Sequence, residues 1–207
     1  MARKIRVGLV FGGKSGEHEV SIKSANNIYE ALDKNKYDVI KIFVDKSNHW
    51  DNVIFENIDV IFPIIHGTYG EDGCLQGMFE IVDKAYVGAG VLGSAVGMDK
   101  DVMKRLLLQA NISVAGFQII KKSQKVNVKK FPVFVKPVNM GSSVGISKAH
   151  NQAELEDAIM EAFEYDTKVI IEQEIVGREI EVSVLGNDDP IASVPGEIKP
   201  THEFYDY

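Results

Sequence analysis

The first apolar run, Lys-Ile-Arg-Val-Gly-Leu-Val-Phe over residues 4 to 11, is interrupted only by Arg6 and predicts a buried strand. Ile22, Ala25, Ile28, Tyr29 and Leu32 then recur at helical spacing, and Asp38 to Val44 returns to strand, which makes a βαβ unit. Ile58 to Ile65 predicts a further strand, ended by a loop from His66 to Gly73. Leu75, Met78, Phe79 and Val82 mark a short amphipathic helix after it. Strand, helix and strand alternate, so this part predicts a Rossmann-like parallel sheet covered by helices, with ligands at the C-terminal ends of the strands.

From Asp99 the pattern changes. Val102, Met103, Leu106, Leu107 and Ala110 form one helical face, and Phe117 to Ile120 and Phe131 to Lys136 read as strands. Asn151 can cap the next helix, with Glu154 completing a capping box and Leu155, Ala158, Ile159 and Ala162 supplying the apolar stripe. Strands at Val169 to Gln173 and Glu179 to Leu185 follow, then a turn at Asn187-Asp188-Asp189-Pro190 and a last strand near Ile191 to Val194. The fold class is α/β, a Rossmann-like parallel sheet followed by an incomplete α+β domain that begins near residue 90.

Composition narrows the setting. With 207 residues, 45% hydrophobic and 26% charged, the chain has enough apolar material for one or two cores. A formal charge of -7 and a pI near 5.3 argue against a broad nucleic-acid surface, which needs excess Lys and Arg on one face. The single cysteine, Cys74, excludes an intrachain disulfide framework and fits a reducing compartment, so a cytoplasmic setting is expected. No stretch approaches the roughly 18 apolar residues of a membrane span, and the run after Met1-Ala2-Arg3-Lys4 is too short for a signal sequence.

Two glycine patterns invite a nucleotide reading and are set aside on context. Gly8 to Ser15 satisfies the P-loop spacing letter for letter, but Gly8 sits inside an apolar strand, where its amide cannot wrap a phosphate. Gly88-Ala89-Gly90-Val91-Leu92-Gly93 fits the dinucleotide fingerprint. The acidic ribose partner about twenty residues on is absent, and a tight turn between domains explains the glycines.

A stronger constellation lies further along. Lys136 ends the apolar strand Phe131 to Val135, Pro137 stops the ladder, and strand alternation puts Lys136 on the face of Phe134, beside an apolar surface suited to a purine base. Gly141-Ser142-Ser143-Val144-Gly145 offers exposed amides and two hydroxyls, as a loop closing over phosphates requires. Carboxylates toward each end of Ile170 to Glu179 could accept from an adenine amino group and from ribose hydroxyls.

In their order along the chain these residues resemble the D-alanine:D-alanine ligases of the ATP-grasp superfamily. The resemblance runs through Phe11-Gly12-Gly13, Ser15 to Ser21, His66-Gly67, Gly70 to Gly73, Leu75-Gln76-Gly77 and Met98-Asp99-Lys100. It continues through Val135-Lys136-Pro137, Gly141 to Gly145, Ile171-Glu172, Gly177 with Glu179, and Phe204-Tyr205-Asp206-Tyr207. It implies ATP-dependent joining of two D-alanine molecules through an acyl phosphate, for peptidoglycan precursors, with D-lactate or D-serine as rival second substrates. A non-catalytic nucleotide-binding module is the alternative of another class. Glu17 would hold the ammonium of the first D-alanine, although a carboxylate at a helix N-terminus is also favoured by the dipole alone. His66 would lie near that substrate as a base or a hydrogen-bonding group. Lys100 and Lys136 would hold phosphates, Ser142 would anchor the loop it shares with Ser143 and contact phosphate or Glu17, and Glu172 and Glu179 would take adenine and ribose. Main-chain groups around Glu174 and Ile175 would serve the adenine edge. The family pattern also implies a homodimer and a division into residues 1–90 on the substrate side, 91–176 as a central ATP-grasp subdomain and 177–207 as the start of a C-terminal one. Because the family continues beyond the position of Tyr207, the chain is expected to lack the C-terminal part, including the ligands of two magnesium or manganese ions, and to be inactive alone.

Overall fold

A computed structural model describes residues 3–50, 55–122, 124, 126–141 and 144–199. The first sheet has the order β2-β1-β3, from β1 (Ile5–Gly12), β2 (Tyr37–Val44) and β3 (Val60–Pro63), all parallel. The uninterrupted apolar character of β1 follows from its central place, since both faces are covered. Leu9 and Phe11 pack with Ala25 of helix α1 (His18–Ala31) on one face, while Val10 packs with Ile42, Val44, Ile61, Leu75 and Phe79 on the other.

Ser21 of α1 fastens the C-terminal ends of this sheet. Its hydroxyl accepts from the Gly12 amide at 2.8 Å and donates to the Ile64 carbonyl. Gly12 has φ +96°, and a Cβ there would collide with the Val44 carbonyl oxygen, so the turn leaving β1 requires glycine. The third strand is shorter than Ile58 to Ile65, although the Ile64 amide still donates to the Val10 carbonyl at 2.7 Å just past its end. Helix α2 (Cys74–Ile81) follows, and Tyr86 then bridges Ile61 in parallel at the sheet margin.

The glycine-rich turn at 88–90 leads into a helix that the hydrophobic pattern did not announce, α3 (Val91–Met98). It contains two glycines and buries only Ser94 among its residues, so neither propensity nor an apolar stripe signals it, and packing against its neighbours stabilises it. Helix α4 (Lys100–Gln109) begins one residue later. Asp99 caps it, accepting from the amides of Asp101 and Val102 at 3.0 Å each.

The second sheet has the order β4-β7-β5-β6 and is antiparallel throughout, from β4 (Phe117–Lys121), β5 (Val133–Pro137), β6 (Ser147–Ala149) and β7 (Lys168–Gln173). Helix α5 (Gln152–Tyr165) covers the face carrying Val133, Val135, Val169 and Ile171 with Leu155, Ala158 and Ala162. Its cap is Asn151, but Glu154 reaches one residue further back than a capping box does, to the His150 amide at 2.8 Å. The expected strand 179–185 divides. Its first part, β8 (Glu179–Glu181), pairs with β11 (Gly196–Ile198), and its second, β9 (Val184–Leu185), pairs with β10 (Ile191–Ala192). No helix among the described residues is long and apolar enough to cross a membrane.

Candidate functional site

The loops at the C-terminal ends of the first sheet place Glu17 at the N-cap of α1, only 8% exposed. Gly67 has φ +70°, and a Cβ on it would stand 2.5 Å from Oε2 of Glu17. One on Gly141 would stand 3.7 Å from the same oxygen. The carboxylate is therefore bracketed by the His66-Gly67 turn and by the first residue of the Gly141 to Gly145 loop. Ser15 holds this arrangement, donating to the His66 carbonyl at 2.7 Å and accepting from the Glu17 amide at 3.2 Å.

His66 lies with Nδ1 3.6 Å from Oε1 of Glu71 and Nε2 3.4 Å from the Ser24 hydroxyl. The Glu71 carboxylate holds the imidazole above its ordinary value of 6.5, with a smaller push from Glu17, against the opposing effect of burial. Burial raises Glu71 in turn, but His66 and the Gly67 amide, which donates to Glu71 at 2.7 Å, outweigh it and leave the carboxyl below its ordinary range.

On the sheet face away from α5, Phe134 stands opposite Glu172 and Lys136 opposite Ile170. Glu172 receives two ammonium groups, Lys136 on Oε2 and Lys104 of α4 on Oε1, each at 2.7 Å. Burial raises the Glu172 carboxyl, and the two lysines bring it down below its ordinary value. Lys136 lies 5.4 Å from the centre of the Phe134 ring, and Lys148, the cross-strand partner of Phe134, lies 5.7 Å from it and pairs with Glu174 at 2.8 Å. Lys100 donates to the carbonyls of Val138 and Met140, and burial together with the charge of Lys136 pushes its ammonium below the ordinary lysine value. Lys168 of β7 binds Asp99 at 2.8 Å and Asp101 at 3.4 Å, which fixes the first turn of α4 against the sheet.

A cleft of about 570 Å³ joins these two halves, with His66, Glu71, Gln76, Lys100, Met140 and Gly141 among its walls. Gln76 donates to the Gly70 carbonyl at 2.9 Å, while its Oε1 is buried without a hydrogen-bond partner. The structure thus brings His66 and Lys100 to one opening, with Glu17 approaching its wall at Gly141 and with Lys136 and Glu172 near enough to Lys100 to act on its charge. Glu174 pairs with Lys148, whereas Ile175 and Glu179 are exposed. Ser142, Ser143 and Phe204 to Tyr207 lie outside the described residues. Gly8 is inside β1 and Lys14 is exposed near the Tyr69 ring, so the P-loop spacing is coincidental.

Three charged residues of the site had no role on sequence grounds. Lys104 was within reach, since it follows Lys100 by one helical turn on the same face. Glu71 stands inside the Gly70 to Gly73 motif. Lys148 lies on a strand of three residues, too short for periodicity to reveal which way it faces.

A family model described as the D-ala D-ala ligase N-terminus matches residues 6–55 and 51–89, and one described as the D-ala D-ala ligase C-terminus matches residues 106–207. The D-alanine--D-alanine ligase of Solibacter usitatus (strain Ellin6076) is 49% identical over 99% of this chain and 66% of its own length. The structure of the D-alanine-D-alanine ligase from Coxiella burnetii matches with a TM-score of 0.88 at 35% identity, over 95% of this chain and 69% of that one. The VanG D-Ala:D-Ser ligase from Enterococcus faecalis matches at 0.85 and 34%, over 99% of this chain and 73% of that one. The chain spans about two thirds of the length of the Solibacter relative. The expectation that the C-terminal part is lacking is corrected by the match over 106–207, the region that forms the antiparallel sheet, α5 and the β8–β11 and β9–β10 pairs.

Proposed function

The chain belongs to the D-alanine–D-alanine ligase family, and on that premise we propose that it carries the amino-acid site and the phosphate site of an ATP-dependent ligase forming D-alanyl-D-alanine. The observation that supports this most is the approach of Glu17 to Gly141. It sets a buried carboxylate, suited to an amino-acid ammonium, against the start of a glycine-rich loop that lies beyond the lysine strand.

In the first step a carboxylate oxygen of one D-alanine attacks the γ-phosphorus, the bond to the β,γ-bridging oxygen breaks, and ADP leaves. In the second, the amine nitrogen of the other D-alanine attacks the acyl carbon and the carbon–oxygen bond to phosphate breaks. Inorganic phosphate departs and the amine proton passes to solvent or a base. Glu17 and His66 orient the first D-alanine, while Lys100 and Lys136 neutralise phosphate oxygens, so charge and position supply the catalysis. Lys100 is well prepared for this. Burial beside another cation disfavours its charge, and an arriving phosphate relieves that cost.

Ser142 and Ser143 would contribute hydroxyls from the closing loop. Glu174, Ile175 and Glu179 would meet the base and ribose, and Glu172 would act beside them. The chain then divides into an amino-acid side over 1–90, a central nucleotide side over 91–176 and a C-terminal subdomain from 177. ATP and a divalent metal are the cofactors such a ligase requires, two magnesium ions in its fullest form. Among the described residues no group of three or more His, Cys, Asp or Glu side chains could hold a metal ion, and the roles assigned to Glu17, His66, Lys100 and Lys136 are those of the side chains themselves.

Calorimetry with a β,γ-imido analogue of ATP and with D-alanine tests the division of labour. Lys136→Ala is expected to weaken the analogue by about tenfold or more, as loss of a charge-assisted contact does, and to leave D-alanine binding unchanged. Equal losses for both ligands, or none for the analogue, would overturn the phosphate role. The similarity to VanG favours one rival second substrate, D-serine, and a comparison of D-serine with D-alanine as acceptor distinguishes the two.

A further inference from the structure

Lys104 has no part in the two chemical steps of ligation, yet its position is built. It is 8% exposed and reaches from α4 to Oε1 of Glu172, itself 7% exposed. Its ammonium is also 5.5 Å from the centre of the Phe117 ring, and Phe117 is the cross-strand neighbour of Glu172 in β7. Two charges so far from water persist only through close mutual contact: removing Glu172 takes from Lys104 its carboxylate, and removing Lys104 leaves Glu172 to Lys136 alone.

The geometry around Glu172 is a clamp with two sides. Lys104 holds one oxygen from α4, and Lys136 holds the other from β5. In a ligase, Lys136 must turn its ammonium toward a phosphate, which means loosening its hold on Glu172. A carboxylate with only that one cation beside it would swing after Lys136, keep both oxygens on it, and compete with the phosphate. A carboxylate held from behind stays where it is.

We propose that Lys104 is a positioning residue for the nucleotide: it fixes Glu172 as a stationary counter-ion, so that Lys136 can exchange a carboxylate oxygen for a phosphate oxygen. The inference rests on the ligase reading of this site. Lys104 acts through Glu172 and does not touch the phosphate. The first turn of α4 is held to β7 by Lys168 on Asp99 and Asp101, so the helix from which Lys104 reaches is itself anchored to the strand that carries Glu172.

The test is a calorimetric titration of the 207-residue chain with the β,γ-imido ATP analogue, using the parent, Lys104→Met, Lys104→Arg, Glu172→Gln and the double variant Lys104→Met/Glu172→Gln. Lys104→Met is expected to weaken the analogue by about tenfold or more, the scale on which truncating one partner of a buried charge pair is felt, and Lys104→Arg to recover most of it. The double variant is expected to bind no more weakly than Glu172→Gln alone. If Lys104 contacted phosphate directly, Lys104→Met would cost the same factor in both backgrounds, and that result would overturn the proposal. So would unchanged affinity in a folded Lys104→Met chain. Should Lys104→Met alone lose its cooperative thermal transition, the double variant, which removes both charges of the pair, still has to match Glu172→Gln. Absence of nucleotide binding by the parent would instead remove the ligase reading and this inference with it.

Discussion

At the scale of single residues, the His66 and Glu71 pair gives the site a pH signature. His66 is raised and Glu71 lowered, so each favours the charged form of the other. The stabilisation from His66 is complete below its ordinary value of 6.5 and is lost as pH rises through its raised folded value. That from Glu71 is complete above its ordinary value of 4.5 and is lost as pH falls through its lowered one. The pair therefore contributes fully between those two ordinary values. Nuclear magnetic resonance titration of the imidazole should show a midpoint above 6.5, and Glu71→Gln should move it down. A midpoint that Glu71→Gln leaves in place would show that Glu71 is not the cause.

At the scale of elements, α5 depends on its cap as well as on its apolar stripe. Asn151 accepts from two amides at 3.1 Å each, and Asn151→Ala is expected to lower stability by about 1 kcal/mol, read as a shift of the denaturant midpoint with unchanged slope. The cap, the stripe of Leu155, Ala158 and Ala162, and the doubly buried run of β1 were all legible, because each writes a period or a capping residue into consecutive positions. Helix α3 and strands β6 and β11 were not. Val-Leu-Gly-Ser-Ala-Val-Gly-Met has no polar face to contrast with an apolar one, and three-residue strands are shorter than the run of alternation that would reveal them. The site divided in the same way. Lys136 was visible from an apolar strand that ends in a lysine. The clamp on Glu172 was not, since it joins α4, β5 and β7, whose proximity only tertiary structure creates.

At the scale of the whole molecule, the described residues bury separate clusters, two flanking the parallel sheet and one between the antiparallel sheet and α5. The cleft runs between the two sheets, so the amino-acid and phosphate groups belong to different cores. The chain covers 66% of the length of the Solibacter ligase. The isolated 207-residue chain is therefore expected to bind nucleotide without D-alanine-dependent release of phosphate, and detection of such release would contradict this.

The fastening of Asp99 and Asp101 to Lys168 has a consequence for how such a chain can vary in length. With the first turn of α4 tied to β7, inserting or deleting one residue between Lys100 and Lys104 would turn the second lysine by about 100° around the helix axis, away from Glu172. Single-residue length changes should be rejected over 99–104 and accepted far more readily in the connection between β4 and β5, which has no helix or strand among its described residues.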